Sequence, residues 1–177
     1  SEQAMTLVDQ VTSFVDGALY VLPNAPTGAK QFKISRTGTA DLIANAVSYA
    51  GTDTTAGAIE AHNKANNAGS PGTLSAAVTV VAANAWLVGL ALGNSQYLIA
   101  GAAPTTVRQQ NSTSSGTQRH DSLDSNGTVA TGSRALEVDD QGSAAAKGII
   151  TASLIPAGGS GGGISIPVLM AQYRRRH

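Results

Sequence analysis

The chain has 177 residues, a formal net charge of zero, no cysteine, and only 12% charged and 4% aromatic residues. That length suits one domain with a real core, and the lack of cysteine excludes a disulfide framework and thiolate chemistry. Neutrality removes any bulk electrostatic reason to expect nucleic acid or an anionic membrane as partner. Charged residues run at about half the ~25% usual for soluble domains, while Gly, Ala, Ser, Thr and Val dominate. The profile is that of a β-rich structural or extracellular protein.

The start, Ser1-Glu2-Gln3-Ala4, is neither basic nor apolar and does not read as a signal peptide. Lacking an initial Met, the chain reads as processed or truncated. Met5 to Val8 is a strand, and Val11 to Phe14 a weaker one. Leu19-Tyr20-Val21-Leu22 is an apolar strand, ended by the Pro23 to Gly28 turn, where two prolines fix φ and a glycine permits positive φ. In Lys30 to Ser35, Phe32 and Ile34 alternate with Gln31, Lys33 and Ser35, the period of a half-buried strand. Leu42 to Tyr49 is a mostly apolar strand, and this spacing of strands and turns predicts an antiparallel β-sandwich.

Asp53 to Gly72 reads as a long connection with helical character around Ala58 to Ala65. Two buried strands follow, Leu74 to Val81 and Ala85 to Gly93, joined at Ala83-Asn84. Ala65 to Val107 carries no charge, but its longest apolar piece, Trp86 to Leu92, falls far short of the ~20 residues of a spanning helix, so no membrane is expected. Tyr97 to Ala100 and Thr105 to Gln109 are short strands, Asn111 to Gly116 is a polar loop, and Asp124 to Gly127 is a turn. Leu136 to Val138 and Lys147 to Leu154 are late strands. The glycines of 157–163 make a flexible linker to a C-terminal segment, 164–177.

Several segments carry a resemblance: Ala4-Met5-Thr6-Leu7-Val8, the stretch Leu19 to Asp53, Val78-Thr79-Val80-Val81 followed by Ala85-Trp86-Leu87-Val88, and Ala146 to Pro156. Together they resemble a concanavalin-like, jelly-roll sandwich domain common in phage virion proteins and bacterial surface proteins, over roughly residues 4–156. The resemblance implies an all-β, antiparallel jelly-roll sandwich and a structural virion role. These are sandwich-core motifs, specific for fold and weak for function. In such domains about two strands precede the Ala-Met-Thr strand, and here three residues do. The expectation is either a fragment of a longer domain or an incomplete sandwich with an unpaired edge, open to strand addition.

Catalytic and metal constellations are weak. Glycanases of the concanavalin-like fold place three carboxylates as E-x-D-x-x-E on one strand, with nucleophile and acid about 5 Å apart. Glu137-Val138-Asp139 begins that pattern, but Gly142 stands at the third position. Asp139, Asp140, Asp121 and Asp124 could offer oxygens to Ca²⁺, yet their spacing follows no loop motif and a solvated turn is expected. His62, His120 and His177 show no metal spacing, and His120, next to Asp121, reads as a surface histidine. Trp86 sits among apolar neighbours and reads as core, not as a sugar-stacking platform. Asn111-Ser112-Thr113 and Asn126-Gly127-Thr128 match glycosylation acceptors of the kind that arise by chance in such a composition. No catalytic residue, metal or cofactor is assigned, and no enzyme activity is expected.

The last segment is the site on which function is read. Ile164, Ile166, Val168, Leu169, Met170 and Tyr173 are too apolar to sit free in water without cost, and Arg174, Arg175 and Arg176 follow them. The expectation is a docking arm whose apolar residues bury on a neighbouring subunit while the arginines clamp it. Its deletion is expected to abolish assembly and leave the sandwich folded. The chain then reads as a virion protein, a phage capsid decoration or cement protein or a tail or fibre module, whose partners are itself and other capsid or tail subunits. The alternative is a carbohydrate-binding adhesion module on a phage or cell surface, taking a host glycan through loops in 110–127.

Overall fold

The structure is a computed structural model of the chain and describes residues 3–12, 15–26, 31–35, 42–53, 57–94, 99–101, 104–113, 118–141, 145–158 and 166–173. The described residues form twelve strands and no helix: β1 (Thr6–Thr12), β2 (Asp16–Val21), β3 (Leu42–Tyr49), β4 (Ile59–Asn67), β5 (Thr73–Val80), β6 (Trp86–Gly93), β7 (Ile99–Ala100), β8 (Thr106–Ser112), β9 (Arg119–Asp124), β10 (Gly132–Asp139), β11 (Lys147–Leu154) and β12 (Ile166–Tyr173). Every ladder between them is antiparallel. The expected all-β antiparallel sandwich is therefore what the chain forms. No helix among the described residues is long and apolar enough to cross a membrane.

Three sheets stack as layers. The middle sheet runs β4-β11-β6-β9-β8, one outer sheet β1-β2-β12-β3, and the other β5-β10-β7. The first outer sheet lays β1 on β4 and β11, β2 on β6, and β3 on β8 and β9. On the opposite face β5 covers β4 and β11, while β10 reaches β6 and β11.

This stacking explains the burial of the middle strands. β11 is buried at all eight positions, and β6 and β9 at all but the first. A strand covered on both faces shows no inside-outside alternation. Its alternate residues enter two different cores. Val88, Leu90 and Leu92 of β6 join Ile150, Ala152 and Leu154 of β11 in a cluster with Val11, Leu19 and Val21. Leu87 and Ala91 join Ile149, Leu123, Leu136, Val78 and Val80 in the other. Glycines set how closely the layers approach. A Cβ on Gly89 would stand 2.5 Å from Ile150 O and 2.7 Å from Leu136 Cδ1, so only hydrogen fits there.

Several expectations are corrected. The helical reading of Ala58 to Ala65 fails because this segment is β4, paired along its length with β11. Ala61 and Ala65 pack against the second core, and that pairing overrides the helix preference of Ala, Glu and Lys. Gln31 to Ser35 carries no ladder, and Phe32 is 40% exposed. Residues 6–8 and 11–12 belong to one strand, β1, with a register shift between Leu7 and Asp9, and residues 13–14 lie outside the described ones. The expected loop Asn111 to Gly116 begins inside β8, and its residues 114–116 lie outside the described ones.

Candidate functional site

The C-terminal segment enters the fold as β12. It sits between β2 and β3, with Val168 opposite both Val21 and Val47, Leu169 opposite Tyr20 and Ala46, and Met170 opposite Leu19 and Asn45. Ile166 pairs with Tyr49 and Tyr173 with Leu42. Ile164, Arg174, Arg175 and Arg176 lie outside the described residues. Proline lacks a ladder donor and sits where one flank of a strand is open. Pro167 obeys this: it faces Ser48 of β3, while pairing with β2 begins one residue later. The segment expected to add to a neighbour's sheet edge is placed, within this single chain, between β2 and β3.

Under β3, the middle sheet presents a polar seam. Alternation along β9 sends His120, Ser122 and Asp124 toward β3, while Asp121 and Leu123 face the other layer. Tyr49 Oη donates to Asp124 Oδ2 at 3.1 Å, and Arg108 Nε donates to the same oxygen at 2.6 Å. The Asn126 amide donates to Asp124 Oδ1 at 2.7 Å, and Arg108 Nη2 donates to Asn126 Oδ1 at 2.8 Å. The Asp124 hydrogen bond raises the Arg108 pKa, and burial, with Asp124 beside it, raises that of Tyr49. Asn45 Nδ2 donates to His120 O at 3.2 Å, and Asn111 Nδ2 donates to Asn45 Oδ1. The Tyr49 and Trp86 rings meet at the end of this seam, centroids 6.0 Å apart and tilted by 57°.

His120 and Asp121 are the strained groups. His120 is fully buried, and neither ring nitrogen has a hydrogen-bond partner of good geometry. Burial lowers its pKa to about 3, and a weak contact with the Ile43 backbone offsets little of that. Asp121 is also fully buried. Arg119 Nε grips both its oxygens, at 2.9 and 3.1 Å. Burial nonetheless outweighs Arg119 and pushes the carboxyl up to about 6. The surface reading of His120 and the solvated-turn reading of Asp121, Asp124 and Asp140 are both overturned, because each side chain sits inside a layer interface.

The other candidates do not converge. Asp121 is paired with Arg119, Asp124 with Arg108 and Asp140 with Lys147. Asp139 Oδ1 accepts from the Gln141 amide at 2.6 Å. Among the described residues no three His, Asp or Glu side chains gather as a metal site. Residues 119–124, placed in a glycan-binding loop by the sequence, form a buried middle strand. Trp86 is half-buried against the first core. His62 meets Asp9 at 2.9 Å, and Lys64 Nζ donates to Asp9 at 3.0 Å and to Gln10 O at 2.8 Å, tying β1 to β4. Burial would raise the Asp9 pKa, but the His62 and Lys64 hydrogen bonds outweigh it and the net shift is downward.

Sequence reasoning missed two features. Glu60 receives the Ser153 hydroxyl at 2.7 Å and the amides of Val81 and Ala82 at 3.2 and 2.9 Å, capping the end of β5. The signal available was a lone acid in an otherwise weakly charged strand. Lys147 is the second: it is 1% exposed, and the one available signal was a cation opening an apolar run. Comparison with known protein families, curated proteins and solved structures finds no match to this chain.

Proposed function

We propose that this chain is a structural virion protein, a capsid decoration or cement subunit or a tail or fibre module, and not an enzyme. On this reading it joins copies of itself, and other capsid or tail subunits, through its surface and its C-terminal strand. The observation that carries the reading is the placement of β12. A strand hydrogen-bonded on both sides is held by a segment whose sequence is almost all glycine and serine.

Ala157 donates to Gly51 O at 2.9 Å, and Ile166 is the ladder partner of Tyr49, so the two anchor points lie two residues apart on the receiving side. The intervening residues 158–165 can span up to about 28 Å when extended. The same strand therefore has the reach to fill the β2–β3 slot of an adjacent copy, an exchange of identical elements. In dilute solution a short covalent tether favours the chain's own slot, through effective concentrations of roughly millimolar. Packed copies in a particle compete at similar concentration. The jelly-roll likeness to virion domains adds support for the head or tail setting.

The test uses two variants of this cysteine-free chain. Ala44 and Ala171 are ladder partners. Chains carrying A44C alone and A171C alone are mixed, assembled and oxidised. Strand exchange gives covalent dimers within particles seen by electron microscopy or mass photometry. A stable monomer that never yields the mixed disulfide removes the reading and leaves the glycan-binding module to be tried on an array.

A further inference from the structure

Outside the C-terminal strand, the most reactive placement is a buried charge pair between the start of β11 and the end of β10. Lys147 and Asp140 side chains are each 1% exposed, and Lys147 Nζ lies 2.6 Å from Asp140 Oδ2. Nζ also donates to Ser70 O at 3.1 Å and to Gly72 O. From the other side the Gly72 amide donates to Asp140 Oδ1 at 2.9 Å. Gly72 has φ of 104°, open to glycine and strained for other residues, so one residue turns its N–H to the carboxyl and its carbonyl to the amine.

An ion pair taken out of water is held at the expense of its desolvation. Passing one proton along the 2.6 Å contact converts ammonium and carboxylate into amine and carboxylic acid. The two N–H bonds left on Nζ have their acceptors in Ser70 O and Gly72 O. The freed lone pair then faces the Asp140 carboxyl. A nucleophile beside an acyl carbon, with a backbone N–H on the oxygen that takes up charge, is the constellation of acyl transfer.

We propose that Lys147 and Asp140 condense into an intramolecular isopeptide bond. Nζ attacks Cγ of the protonated carboxyl, and negative charge gathers on Oδ1 under the Gly72 N–H. The Oδ2 hydroxyl takes a proton from Nζ and leaves as water. The Nζ–Cγ bond forms, the Cγ–Oδ2 bond breaks, and nothing is oxidised or reduced. No second reactant is needed. Fixed proximity supplies effective molarities of about 10⁵–10⁸ M in well-oriented intramolecular reactions. The product replaces two buried charges by one neutral amide, and the dry layer interface shields it from hydrolysis. The bond would lock the end of β10 to the start of β11, joining an outer sheet to the middle sheet in a chain with no cysteine.

The test is the mass of the folded full-length chain, measured after denaturation. The expected mass is that of the sequence less one water molecule. Trypsin cuts after Arg134 and Arg174 but not at an amide-linked Lys147. Residues 135–174 should therefore appear as one peptide that carries the whole deficit, which separates this bond from imide closure at Asp16-Gly17. K147R keeps the cation and D140A removes the acyl group, and both should regain the full mass whether or not they fold. Chain kept unfolded from synthesis onward should start at full mass and lose water on refolding. A folded wild-type chain at full sequence mass, cut normally after Lys147, would overturn the proposal and leave an ion pair.

Discussion

His120 and Asp121 are adjacent on β9, face opposite layers, and respond to acid in opposite senses. Burial lowers the His120 pKa from 6.5 to about 3. Between those values the unfolded chain binds a proton that the folded chain refuses, so stability falls as pH falls. Each pH unit costs about 1.4 kcal/mol, and the whole window about 5 kcal/mol. Burial raises Asp121 from 3.8 to about 6 despite Arg119. In that window the folded chain takes up the proton first, so stability is gained as pH falls, about 3 kcal/mol in all. From pH 6 to 4 the two nearly cancel. The wild-type chain should be almost flat there and then lose only about 1 kcal/mol net on going to pH 3. Two substitutions separate the effects. D121N removes the opposing carboxyl and should lose about 4 kcal/mol between pH 6.5 and 3. H120L removes the histidine's opposing effect and should become more stable, by about 2 kcal/mol, between pH 6 and 4. Urea unfolding of the three proteins at half-unit pH steps reads these slopes directly. Parallel curves for wild type and H120L would refute the burial of a neutral imidazole in this seam.

Two further substitutions probe the layer contacts. G89A puts a methyl against Ile150 O and Leu136, and should cost about 1–3 kcal/mol in chemical denaturation; an unchanged midpoint would mean the middle and β10 layers are not in contact there. Y49F deletes one donor to Asp124, which keeps Arg108 and the Asn126 amide, so a loss of about 1 kcal/mol is expected. A loss several times larger would show that Tyr49 holds the seam together.

Legibility in the sequence followed solvent exposure. Apolar character marks β6 as a buried strand, and the structure places it in the middle sheet; β5, which reads the same way, buries only alternate residues from an outer sheet. β9, Arg-His-Asp-Ser-Leu-Asp, was invisible: it is polar, and strand patterns are recognised by apolar periodicity. Asp124 is instead matched by Arg108 of β8 and the His120 carbonyl by Asn45 of β3, both distant in sequence, and no local pattern reveals such partners. The same holds for Asp140, whose partner Lys147 follows it by seven residues but whose amide donor, Gly72, comes from the β4–β5 connection. Apolar alternation over 31–35 misled in the opposite direction, since a strand needs a neighbour as well as a pattern. The C-terminal strand was legible as an apolar segment needing cover. Its two neighbours were not, because nothing in 164–177 encodes register with β2 and β3.

That register changes what truncation should do. A detachable arm could be cut at Ile164 and leave a folded sandwich. β12, however, carries ladders to β2 and β3 at once, so its loss parts the β1–β2 hairpin from β3 and bares two strand edges. The outer sheet also covers the face of β6 that bears Val88, Leu90 and Leu92. A chain ending at Gly158 should therefore unfold at lower denaturant and bind apolar dyes, because β1 and β2 lose their lateral support. A peptide of residues 164–177 supplied in trans should restore the original midpoint in a saturable way, since the slot accepts the strand through backbone pairing whichever chain supplies it. If the truncated chain matched the full chain and ignored the peptide, β12 would be a passive appendage. The slot between β2 and β3 could then not serve as the joint between subunits.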